Sequence, residues 1–218
     1  MMGIPRFFVF EGVHGAGKST LVSACADALI ATGYPVKTFT FPDRSTDLGK
    51  SIRSLITDPR VVGEWRIVGS LYAGFANRFH TCIDDGKTVW LCDRHSVTSG
   101  LVFQDDIPDA IREELYGPSL GALRDEGQII FCDCDDEIAR QRWSQRNMKL
   151  HDSDEFEKNK ARDAFFAHYE EFTKKMRHYF LPACAAWGLS SWTIDSSSVL
   201  ADTRDAVCAF IISRLSRH

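Results

Sequence analysis

The chain has 218 residues, 44% hydrophobic and 26% charged, with a formal net charge of −4. That suits one globular domain; it excludes a global electrostatic pull toward nucleic acid, and no apolar run approaches the length of a membrane span. Seven cysteines at scattered spacing make no zinc-finger pattern and are expected as free thiols in a reducing, cytoplasmic setting. The N-terminus has one arginine and a very short apolar run, so no signal peptide is expected.

Strand and helix signals alternate along the chain. Phe7-Phe8-Val9-Phe10 fits a buried strand, and Leu21, Val22, Cys25, Leu29 and Ile30 follow at helical spacing. Gly33 and Pro35 close that helix, and residues 36–41 read as a second strand. Thr46 is placed to cap a short helix running to Ile56. A long helix is expected from about 64 to 85, with Trp65, Val68, Leu71, Tyr72, Phe75 and Phe79 on one side. Residues 88–92 form a third strand ending in Asp93-Arg94-His95, and residues 96–103 a helix. Two short helices, 111–116 and 119–125, precede a fourth strand at 128–134. Residues 138–146 read as a helix, 155–180 as a longer one ended by Pro182, 191–194 as a fifth strand and 199–215 as a closing helix. Five apolar strands separated by helices predict an α/β fold: a five-stranded parallel sheet covered on both faces, in a single domain. Ligands then bind beyond the carboxyl ends of the strands.

The residues at those ends carry chemistry. Glu11 to Thr20, EGVHGAGKST, matches G-x-x-x-x-G-K-[ST] between a strand and a helix. Gly12, His14, Gly15, Ala16, Gly17, Lys18, Ser19 and Thr20 are the candidate ATP site, because such a loop aims backbone N–H groups at phosphate oxygens. Lys18 neutralises the outer phosphates, and Ser19 with Asp93 is the candidate Mg²⁺ pair. Arg44 and Arg94 each follow a strand, and their planar forks suit a second, accepting phosphate.

With Phe-Pro-Asp-Arg-Ser-Thr at 41–46, Ala-Asn-Arg at 76–78 and Asp-Arg-His at 93–95, the chain resembles the thymidylate kinases over essentially its whole length. The resemblance implies a P-loop nucleoside monophosphate kinase fold, ATP and dTMP as substrates, Mg²⁺ as cofactor and a homodimer. It implies that Asp43, Arg44 and Arg94 serve the dTMP phosphate and that Arg78 reads the thymine ring. It also implies that Phe103 crowds a ribose 2′-OH and that Ser197 lies in the loop that cradles the donor adenine. Three departures stand out. His14 replaces the family's acidic residue. Gly74 stands where a Phe stacks on the base, leaving Phe75 or Tyr72 for that role. One extra residue after Asp93 leaves Thr98 or Ser99 facing the base, with Ser99 taken here.

Arg142 and Arg146 share a helix face before the polar stretch 147–154. With Gly15 rather than arginine in the loop, a lid at about 140–155 is expected to bring the catalytic cation, as in the bacterial-like subtype. Lys18, Asp93, Arg94, Arg142 and Arg146 are thus the expected catalytic set. Two other readings stay open: a thymidine kinase, possibly bifunctional, and a nucleotide-binding scaffold without turnover. The five tryptophans are expected to pack in the core or an interface.

Overall fold

The computed structural model describes residues 6–43, 45–57, 65–81, 87–103, 107–148 and 169–216, without the side chains of 56–57, 65–66, 77–81, 101–103 and 146–148. Arg44, the Cys82 thiol and the lid from residue 149 onward lie outside it, as do the side chains of Arg78, Phe103 and Arg146.

Five parallel strands form one sheet: β1 (Phe7–Gly12), β2 (Val36–Thr40), β3 (Val89–Asp93), β4 (Gly127–Asp133) and β5 (Ser191–Asp195), in the order β2-β3-β1-β4-β5. Every residue of β1 is buried, so both of its faces are covered, while β2 and β5, at the edges, have only half-buried and exposed residues. The chain moves outward from β1 to one edge, then returns past it to β4. β1 is therefore the switch point, and its carboxyl end is where a ligand crevice forms. In register, Phe10 faces Asp93, Gly12 faces Cys132 and Asp133 faces Asp195, which brings four strand tips to one level.

The helices are α1 (Lys18–Ala31), α2 (Asp47–Thr57), α3 (Trp65–Thr81), α4 (Ser96–Phe103), α5 (Asp109–Glu126), α6 (Asp136–Met148), α7 (residues 169–175), α8 (Leu181–Ala186) and α9 (Leu200–Leu215). α1 packs on α9, and α3 on α4 and α5. Phe8, Phe10, Leu91, Ile130, Tyr116 and Leu120 are fully buried between these layers. Thr46 does cap α2: its hydroxyl oxygen accepts the Gly49 N–H at 3.0 Å.

Two expectations fail at prolines. The pair of short helices is a single α5 carrying Pro118 in its interior. Tyr116, Leu120 and Leu123, on either side of that proline, are all buried, and this packing outweighs the lost hydrogen bond. Nor does Pro182 end the long helix. α7 passes into a π-helical turn, Met176–Phe180, and then into α8, where Pro182 occupies the first turn and its missing N–H is tolerated.

The described thiols, Cys25, Cys92, Cys132, Cys134, Cys184 and Cys208, form no disulfide, as expected. Among the described residues no helix is long and apolar enough to cross a membrane.

Candidate active site

The phosphate loop joins β1 to α1 with three glycines in left-handed or related backbone: Gly12 at φ 139°, Gly15 at 81° and Gly17 at 79°. Gly15 also allows a close approach. A Cβ there would stand 1.9 Å from the Ala139 carbonyl oxygen, so α6 seats directly on the loop. An arginine in the loop at that position is incompatible with this packing.

Lys18 folds back over the loop and donates to the carbonyls of Gly12 at 3.0 Å and Val13 at 2.6 Å. Burial, and then the charge of Arg94, push its ammonium down from 10.5 to about 7. The Ser19 hydroxyl donates to Asp93 Oδ2 at 2.5 Å. The pair expected to hold Mg²⁺ is thus in direct contact. A hydroxyl and a carboxylate, both hard oxygen donors, fit that ion.

Arg94 turns back under the loop. Its Nη1 donates to Glu11 Oε2 at 2.9 Å and its Nη2 to the Gly12 carbonyl at 3.4 Å, and its guanidinium lies 5.0 Å from the Phe172 ring centroid. Its backbone is left-handed, φ 69°. Glu11 is 1% exposed, and its other oxygen accepts from the Thr98 hydroxyl at 2.6 Å. Removing one partner of such a buried pair costs about 3–5 kcal/mol.

Thr98 is committed to Glu11 and to the His95 carbonyl, and Ser99 is buried beside it. Asp43 accepts the Ser45 N–H and hydroxyl at 2.9 and 2.7 Å, forming the turn after the cis Phe41–Pro42 bond. Phe75 packs on Phe39 and Phe41 at 5.4 and 5.1 Å between centroids, half-buried. Tyr72 is buried edge-on against Phe41, and burial pushes its phenol up to about 12. Of the two aromatics considered for stacking, only Phe75 keeps exposed surface worth offering to a base. Gly74 is exposed with open space beside it.

His14 stacks into an aromatic group rather than standing alone. Phe172 is 3.9 Å from it and Trp143 5.7 Å, with Tyr169 4.8 Å beyond Trp143. The loop, α6 and α7 meet there. Arg142 Nη1 donates to the Ser196 carbonyl at 3.0 Å and Nη2 to that of Ser197 at 3.4 Å, and Nη1 lies 4.0 Å from where a Gly17 Cβ would stand. Arg142 therefore ties α6 to the β5–α9 loop, near the Gly17 turn of the phosphate loop. The Ser197 hydroxyl accepts the Asp135 N–H at 2.8 Å, tying the same loop to the root of α6. From the π-turn, Arg177 donates to the Cys134 carbonyl and to Asp136 Oδ2, the latter at 3.1 Å.

A family profile described as thymidylate kinase matches residues 10–183. The chain belongs to the thymidylate kinase family. Among curated thymidylate kinases, the Schizosaccharomyces pombe protein is 26% identical over 219 residues, covering 98% of this chain and 94% of the relative. A probable thymidylate kinase of Methanobrevibacter smithii is 27% identical over 181 residues, covering 81% and 85%. The Symbiobacterium thermophilum thymidylate kinase is 31% identical over 134 residues, covering 57% and 61%. Within this thymidylate kinase fold, Glu11, Phe172, Trp143 and Arg177 are the site neighbours that motif reading missed. Glu11 had a signal, a carboxylate closing an apolar strand. Phe172 and Trp143 had none beyond aromaticity.

Proposed function

We propose that this protein transfers the γ-phosphoryl group of ATP to dTMP. The observation that carries the reading is the convergence, at the tips of β1 and β3, of Lys18, the Ser19–Asp93 pair and Arg94. Two phosphorylated substrates need just such a meeting of cations, loop amides and a metal-ligand pair.

In this reading the loop amides of residues 12–20 hold the donor phosphates and Lys18 leaves its two carbonyl partners for them. Ser19 and Asp93 hold Mg²⁺, which when bound neutralises charge on the transferring phosphoryl group. Arg142 and Ser197 border the donor on the β5–α9 side. Arg94, with Arg44 and Asp43, receives the acceptor phosphate. Arg78, Ser99, Phe75 and Phe103 define the base and sugar, and Arg146 with the lid closes over the reaction. His14 borders both substrates. No covalent intermediate is needed, since alignment and charge stabilisation lower the barrier. The homodimer belongs to the same proposal, and exposed Leu48, Leu55 and Ile67 on α2 and α3 supply apolar surface for it.

A coupled ADP-release assay with ATP, Mg²⁺ and, in turn, dTMP, dUMP, dCMP, UMP and thymidine tests the reading. Turnover is expected with dTMP, and Arg94→Ala is expected to lower it and to raise the KM for dTMP without abolishing it. Turnover with thymidine alone would replace the monophosphate kinase by a nucleoside kinase.

A further inference from the structure

Glu11 lies one residue ahead of the loop, on the strand beside the one that delivers Arg94. Its Oε2 accepts from Arg94 Nη1 at 2.9 Å, while Oε1 accepts the Thr98 hydroxyl at 2.6 Å and the His95 backbone N–H at 3.3 Å. Three groups that follow β3 are thus set against one buried carboxylate. The Gly12 carbonyl at 3.4 Å and the Phe172 ring at 5.0 Å hold Arg94 on its other sides. The two hydrogen bonds take two of the five N–H donors a guanidinium carries, so its direction is set while donors remain for a ligand. Left-handed backbone at a non-glycine residue persists only where its surroundings over-determine it, and at Arg94 the carboxylate is part of that surrounding.

We infer that Glu11 is the positioning residue of the acceptor subsite: its carboxylate fixes the direction in which Arg94 presents its remaining N–H groups to the phosphate of the nucleoside monophosphate. The inference rests on the reading of Arg94 given under the proposed function.

Positioning and simple charge balance predict opposite effects. Every group facing the two Glu11 oxygens is a donor. Glutamine has one acceptor oxygen and one NH₂. The His95 N–H cannot turn away, so the amide oxygen stays on that side and the NH₂ faces Arg94, pushing the guanidinium off its bearing. Charge alone acts the other way, because removing a carboxylate beside Arg94 strengthens its pull on an anion.

The test is steady-state kinetics with ATP and dTMP on the full chain, with thermal melts, for Glu11→Gln, Glu11→Asp, Arg94→Ala and the double variant Glu11→Gln/Arg94→Ala. Glu11→Gln is expected to raise the KM for dTMP about tenfold or more, as loss of a charged hydrogen bond does, with the KM for ATP within about twofold. In the Arg94→Ala background the same change adds nothing, because the two residues act as one unit. An unchanged or lower KM for dTMP in Glu11→Gln, or an equal factor in both backgrounds, overturns the inference. Should Glu11→Gln fail to fold, Glu11→Asp decides: it keeps the charge and withdraws it by one methylene, so a raised KM for dTMP supports positioning and a normal one overturns it. A normal KM for dTMP in Arg94→Ala would instead remove the reading of Arg94 itself.

Discussion

The Ser19 hydroxyl meets the Asp93 carboxylate at 2.5 Å, joining the first turn of α1 to the end of β3. Asp93 ends β3 and Ser19 starts the helix that follows the β1 loop, so neither has to move far to share a cation. Asp93→Asn removes the charged member of the pair. It is expected to lower kcat by about 10²-fold or more and to raise the Mg²⁺ concentration needed for half-maximal rate. Titrating Mg²⁺ at saturating ATP and dTMP checks this, with circular dichroism confirming the fold.

The lowered Lys18 ammonium predicts that ATP binding is proton-coupled. The ammonium sits at about 7 because of burial and Arg94, and donor phosphates restore its charge. At pH 8.5 binding of ATP is therefore expected to take up close to one proton, read by calorimetry in buffers of different ionisation heat. Lys18→Met abolishes the uptake. The same group shapes stability. Between about 7 and 10.5 the unfolded chain holds the Lys18 proton and the native chain does not, so this residue makes stability rise with pH across that window. Lys18→Met is expected to flatten that rise in urea unfolding.

Gly15 has no room for a side chain. A Cβ would collide with the Ala139 carbonyl and would also force left-handed backbone on a chiral residue. The backbone term alone is about 1–2 kcal/mol. Gly15→Ala is expected to lower Tm and to raise the KM for ATP, since α6 must shift off the loop. A comparison of KM values for ATP and dTMP tells this local displacement from general destabilisation.

Arg142 lies beside the donor loops, bonded to the carbonyls of Ser196 and Ser197. Arg142→Ala is expected to raise the KM for ATP by about tenfold and leave that for dTMP within about twofold, the pattern of a lost donor-side contact. A loss confined to kcat would place Arg142 on the transferring group instead.

Much of this site was legible because strand–loop–helix chemistry is local. Gly12 to Ser19 is a contiguous motif, and Asp93-Arg94 announces itself by following an apolar strand. Parallel topology then brings them together with no further information. What was not legible depends on tertiary contact. His14 stacking on Phe172 joins residues from distant parts of the chain, and an aromatic on a helical stripe reads as core whether or not it touches a loop. Glu11 read only as the first residue of the loop stretch because its partners, Arg94, Thr98 and the His95 N–H, lie beyond another strand. Pro118 and Pro182 misled for the opposite reason: a local rule about helix breaking yielded to packing around Tyr116 and Leu120 and to a π-turn.

Phosphorus NMR of the reaction mixture bears most directly on the central claim. Wild-type protein with ATP, Mg²⁺ and dTMP is predicted to convert the dTMP monophosphate resonance into the paired α and β resonances of dTDP, in step with formation of ADP. An undiminished dTMP signal, or a phosphate appearing only on thymidine supplied in its place, would contradict it.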